Sequence, residues 1–95
     1  MTRIVVKKLI WDKWNIEHIK KHNVSKEEAE ETAKNMIAHE HTKQGRYLIV
    51  GRVGLRILTL IVNRKGTGIY YPVTVRDAAK KERRKVYEKE KIKIS

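Results

Sequence analysis

Between positions 46 and 76 the chain alternates apolar runs with turns: RYLIVGRV up to Gly54, then RILTLIVN, then GIYYPVTV after NRKGTG. The middle run is almost continuously apolar, as expected of a central strand, and the short connections predict an antiparallel meander. Pro72 cannot donate a ladder hydrogen bond, so it marks an edge or a bulge. Alternation places Ile69, Tyr71, Val73 and Val75 on one side, and Tyr70, Thr74 and Arg76 on the other. In the first run Arg46, Leu48, Val50 and Arg52 share a side. If the set beginning at Ile69 packs on helices, Arg76 opens onto the opposite face, where Arg52 could join it.

Upstream, RIVVKKLIW (Arg3 to Trp11) predicts another strand. Asp12 caps a short helix, KWNIEHIKKH, and Asn23 tolerates the left-handed conformation that ends one. The box S-K-E-E, Ser25 to Glu28, opens a second helix whose core stripe is Ala29, Ala33, Met36 and Ile37. HEHTKQG, His39 to Gly45, reads as a polar loop. At the end of the meander Thr74 and Asp77 are placed to cap a last helix. Its apolar stripe is thin, Ala78, Ala79 and Val86, with Glu82 lying within it, while Lys80, Arg83 and Tyr87 point roughly the same way as Arg76. The order β-α-α-β-β-β-α predicts an α+β fold: an antiparallel sheet with helices packed on one face, one domain over residues 1–95.

Composition narrows the class. The chain has 95 residues, 40% of them apolar, enough for one modest core. The lack of cysteine excludes disulfides and thiolate metal sites. Lys7 and Lys8 interrupt the apolar run near the N-terminus, so neither a signal peptide nor a membrane span is expected, and a cytoplasmic protein is the default. The net charge is +12, and its distribution is uneven. Residues 25–41 carry two bases and five acids, whereas residues 42–76 carry seven bases and no acid. Residues 77–95 add eight bases and four acids. Bases clustered on strands and continued by a helix favour a polyanion, because each phosphate neutralised releases counterions.

Three blocks in order, WDKWNIEHIKKHNVSKEEAEE, GRYLIVGR and TVRDAAKKERR, resemble the BrnT-type toxins of toxin–antitoxin pairs, grouped with the RelE-like ribonucleases. The similarity runs over about residues 9–88. It implies a small RelE-like domain, metal-independent endoribonuclease activity that arrests translation, and a cognate antitoxin, a ribbon-helix-helix repressor, through which the pair would meet DNA. By position, the family's Lys-His-Gly-Val element falls on Lys21-His22-Asn23-Val24, its (T/S)xR element on Thr74-Val75-Arg76, and its Glu-Arg pair on Glu82-Arg83. Asn23 replaces a glycine, Val75 and Ala78 depart from the commonest residues, and Tyr87 is offset by one.

The chemistry names the candidates. Metal-free RNA cleavage needs a base for the 2′-OH proton, cations for the phosphorane and an acid for the 5′-oxygen. Arg76, leaving a strand beside a helix N-terminus, suits a bidentate grip on phosphate, and Arg52 would join it. Glu82 is either a base or the partner of Arg76 or Arg83 in a structural ion pair. His22 is either a base or a helix-terminal residue that satisfies carbonyls, with Lys21 beside it. Arg46, Lys80, Arg83, Arg84 and Tyr87 are read as RNA contacts, though the helix cations equally suit an acidic antitoxin segment. Trp11 and Trp14 read as core or interface anchors. His18 and His22, at i and i+4, could share a zinc ion, but no third ligand is near and HExxH is absent, so no metal and no cofactor are expected. Two other classes stay open: a basic RNA- or DNA-binding module without catalysis, and an interaction domain for an acidic protein.

Overall fold

The computed structural model describes residues 4–42 and 44–94, with side chains up to residue 91. In chain order it comprises β1 (Lys8–Leu9), α1 (Lys13–Lys20), α2 (Lys26–Lys34), β2 (Met36–His41), β3 (Arg46–Val53), β4 (Arg56–Gly66), β5 (Ile69–Asp77) and α3 (Lys80–Ile94). The five strands form one sheet in the order β1-β5-β4-β3-β2. The α+β class, the meander and the three helices are as the sequence predicts.

Both early helices start where their caps place them. Asp12 accepts from the Asn15 N–H at 2.9 Å while the Asn15 side chain returns the bond to the Asp12 N–H at 2.9 Å. Ser25 and Glu28 exchange the same pair of bonds. Asn23 takes a positive φ of 58° and closes α1, and the Val24 N–H reaches back to the Ile19 carbonyl. Between β3 and β4, Gly54 (φ 59°) leads a two-residue turn from Val53 to Arg56, leaving Leu55 at the tip almost wholly in solvent.

Pro72 produces the bulge. Ile61 pairs with Thr74 but Val62 pairs with Pro72, so Val73 is an extra residue. Strict alternation therefore breaks, and Tyr70, Pro72 and Val75 share the buried side. Buried Asn15 satisfies the bulge by donating Nδ2–H bonds to the carbonyls of Pro72 at 3.2 Å and Ile10 at 3.0 Å. This side chain pins α1 to β5.

The main core lies on that side. Ile49 from β3, Leu58, Leu60 and Val62 from β4, and Val75 from β5 meet Ile19 of α1 and Ala29 and Ala33 of α2. Each large aliphatic contributes about 1.5–3 kcal/mol by leaving water. Gly51 lets α2 descend onto β3: a Cβ there would run into the Thr32 carbonyl.

Four details differ from expectation. The segment from Met36 to His41, expected to be the tail of α2 and a loop, is an edge strand paired antiparallel with β3, Ala38 opposite Val50 and His39 opposite Ile49. Met36 and Ile37 do continue the helical spacing from Ala29 and Ala33, but the helix stops at Asn35 (φ −100°, ψ 33°) and pairing with a distant strand decides the rest. The sheet is mixed, because β1 runs parallel to β5. Only Lys8 and Leu9 of the expected first strand pair, and Arg3 lies outside the described residues. Finally, helices cover both faces: α1 and α2 share one, whereas α3 lies on the other, burying Ala78 and Val86 against Ala38, Val50 and Ile57.

Candidate functional site

On the α3 face β3 and β5 present Arg52 and Arg76. Thr59 of β4 pairs with Arg76 of β5, and Val50 of β3 pairs with Thr59, so Arg76, Thr59, Val50 and Arg52 share this side. The expectation that Arg76 opens opposite the main core, with Arg52 on the same face, holds in this geometry, with β4 between the two.

Arg76 grips Glu82 in a fork: Nη1 donates to Oε1 at 2.9 Å and Nη2 to Oε2 at 3.0 Å. The same Oε1 accepts from the Thr59 hydroxyl at 2.8 Å and from the Ala79 N–H at 2.7 Å. Glu82 is the third residue of α3, and Ala79 immediately precedes the helix, so the carboxylate also caps the helix. The expected caps, Thr74 and Asp77, belong to β5 instead. The Glu82 side chain is only 15% exposed and Arg76 34%. Burial pushes the Glu82 carboxyl up, but the Arg76 fork, the Ala79 N–H and the Thr59 hydroxyl outweigh it and hold it below the usual glutamate value. Arg76 is raised, chiefly by its bonds to Glu82. Thr74, one pleat back on the same side, buries a hydroxyl oxygen with no hydrogen-bond partner among the described residues.

Arg52 forms a second fork, Nε and Nη2 each 2.8 Å from the carboxylate of Glu90 near the end of α3. Those bonds, with a smaller electrostatic contribution from Tyr87, raise the guanidinium. Tyr87 is 54% exposed and, with Lys80, Arg83 and Arg84, lines a shallow groove of about 400 Å³ on the outer side of α3. Arg46 sits farther along β3 in a second shallow hollow with Thr42, Gln44, Leu48 and Ile61.

Lys21 and His22 are placed elsewhere. Both are exposed at the end of α1, on the α1/α2 side of the sheet. A residue that sequence reading missed connects them to the arginine end. Arg56 donates through Nη1 to the Asn23 carbonyl at 2.9 Å and to Glu28 at 3.1 Å, and through Nη2 to Asp77 at 3.2 Å. The Asp77 carbonyl in turn accepts from Arg76 at 3.2 Å. The partners of Arg56 are 21 to 33 residues away, and no local pattern signals them. Thr59 and Glu90 were missed for the same reason.

No family model and no curated protein matches the sequence. Among solved structures, the chain is similar to the 1.1 Å crystal structure of the Brucella abortus ribonuclease toxin BrnT. The two are 25% identical with a TM-score of 0.60, and the match covers 76% of this chain and 96% of that one. The chain has the BrnT-type toxin fold. On that fold Arg76, Glu82 and Thr59 converge, Arg52 and Tyr87 stand beside one another, and His22 with Lys21 occupies a separate corner reached through Arg56. Among the described residues no helix is long and apolar enough to cross a membrane, and no three His, Asp or Glu side chains cluster as metal ligands.

Proposed function

We propose that this chain is the toxin of a toxin–antitoxin pair and acts as a metal-independent endoribonuclease that arrests translation. Its likeness to a ribonuclease toxin supports the class, and the observation that carries the chemistry is the Arg76–Glu82–Thr59 network beneath a cationic helix. In this reading Arg76 and Arg52 stabilise the charge that develops on the phosphorane as a 2′-oxygen attacks phosphorus. Glu82 already accepts four hydrogen bonds and is held ionised, which suits aiming Arg76 better than taking a proton. The attack closes a 2′,3′-cyclic phosphate as the 5′-oxygen leaves, water taking the 2′-OH proton and returning one to the 5′-oxygen. His22 and Lys21, on the other side of the sheet, hold a neighbouring phosphate of a strand that crosses the sheet end spanned by Arg56. Arg46, Lys80, Arg83, Arg84 and Tyr87 hold the strand by its phosphates and a base face. The partner is a cognate antitoxin, a ribbon-helix-helix repressor through which the complex meets DNA.

The test is RNA cleavage by the purified protein in EDTA, beside Arg76→Ala and Glu82→Gln. Cleavage that persists without metal in the wild type and falls at least ~100-fold in Arg76→Ala supports the reading. RNA that stays intact yet binds with a steep salt dependence replaces it with the non-catalytic binding module.

A further inference from the structure

Trp14 is 57% exposed and, among the described residues, belongs to neither core cluster. Trp11, by contrast, packs on the main core and donates its indole N–H to Glu30 at 3.2 Å. Of the two readings, core or interface anchor, Trp11 takes the core one, and Trp14 lies outside the core. Trp14 instead stacks on His18, one helical turn on, with ring centres 5.0 Å apart and planes 8° from parallel. His22 continues the row edge-on, 6.0 Å from His18 at 64°. A helix places i and i+4 side chains on the same flank, so the ladder is set by α1 itself.

At 100° per residue Lys21 adjoins the ladder, whereas Lys13 and Lys20 lie on the flank beyond Glu17. Lys13, Lys20 and Lys21 are exposed and none of them is in an ion pair among the described residues, while Glu17 is the only carboxylate within α1. Two parallel rings, already ordered, offer a π-face at little further entropic cost, and Lys21 beside them supplies the cation that a phosphodiester needs. The same combination gives an acidic protein segment no use for the flat faces.

We infer that the Trp14–His18 ladder on α1 is a stacking platform for a base of single-stranded RNA, with Lys21 on the adjoining phosphate. The inference rests on the ribonuclease reading above. It adds a contact on the opposite side of the sheet from Arg76, leading the strand toward His22. Stacking tolerates any base but favours the larger face of a purine.

Titration of the full chain with end-labelled oligo(A), oligo(U) and an abasic phosphodiester oligomer of equal length tests it, with binding read from the anisotropy of the label in every variant and from tryptophan fluorescence in the wild type. Oligo(A) is expected to quench the indole emission strongly and the abasic oligomer weakly. Trp14→Ala should bind oligo(A) about tenfold more weakly, Trp14→Phe should recover most of the loss, and binding of the abasic oligomer should not change. A thermal melt of each variant verifies that it is folded. If Trp14→Ala binds oligo(A) as tightly as the wild type, the platform is overturned while the ribonuclease reading stands. If no oligomer binds or is cut, both fall.

Discussion

The two faces of this sheet are held by different forces. On the α1/α2 side, Leu58, Leu60, Val62, Ile49 and Val75 are fully buried against two helices, and burial of apolar area dominates. On the α3 side the apolar contact shrinks to Ala78, Val86 and their neighbours, and two guanidinium–carboxylate forks do much of the fastening. A face held by packing resists salt and acid; a face held by ionised groups at partly exposed positions does not. The cationic helix is thus attached by the interaction that an RNA phosphate or an acidic partner can compete for.

The largest expected effect lies on the packed side. Leu60→Ala should cost about 3–4 kcal/mol through lost transfer energy and a residual cavity, whereas Ile61→Ala, one residue along on the half-buried α3 face, should cost about 1 kcal/mol. Chemical denaturation of the two variants measures the difference. Equal losses would mean that the faces do not differ in the way proposed. Next in size, Glu82→Gln should lower stability by about 2 kcal/mol, since it leaves the Arg76 guanidinium without its counter-charge in a half-buried site.

Acid should separate the faces without mutation. Glu82 is held below its ordinary value, so its contribution is complete above about pH 4.3, the unfolded value, and is lost as pH falls through that value to the folded one. Amide hydrogen-exchange protection in the first turns of α3 is therefore expected to fall below about pH 4.3, before protection at Leu60 and Val62 does, and Glu82→Gln should abolish that early step. Simultaneous loss of protection on both faces would sink the distinction.

How far the sequence carries can be seen in particular residues. The caps at Asp12 and Ser25, the turn at Gly54 and the bulge at Pro72 were legible because each is local chemistry: one or two side chains answering neighbouring backbone groups. The common face of Arg52 and Arg76 was legible from alternation, since Pro72 and Val73 interrupt the count before Thr74 and leave Arg76 in step with it. β2 was not, because Met36 and Ile37 fit helical spacing and only β3 decides otherwise. Nor was the second helical face, for a stripe as thin as Ala78 and Val86 does not say which side of a sheet it covers. In the candidate site, the Glu82 fork was anticipated as one alternative, but Glu90 on Arg52 and the three partners of Arg56 needed the folded chain, being 21 to 38 residues away.

The smallest effect is the sharpest, because it compares two threonines on the same face. Thr59 donates its hydroxyl hydrogen bond to Glu82 at 2.8 Å, while the Thr74 hydroxyl is buried without a partner among the described residues. Valine has nearly the same shape, so Thr→Val removes the hydroxyl and little else. At Thr59 the change withdraws one of four donors from an ionised carboxylate, and the expected loss is about 1–1.5 kcal/mol with a rise in the Glu82 pKa. At Thr74 the change removes a hydroxyl that paid desolvation and gained no bond, so stability should stay level or rise by about 0.5 kcal/mol. Thermal melts at pH 7 give the signs, and a series taken down through the acid range tests the cause. Once Glu82 is protonated the Thr59 penalty should shrink, whereas the Thr74 effect, which involves no charge, should not move. A penalty at Thr74 as large as at Thr59 would show that this hydroxyl has a partner after all, and that the α3 face carries more polar order than its two forks.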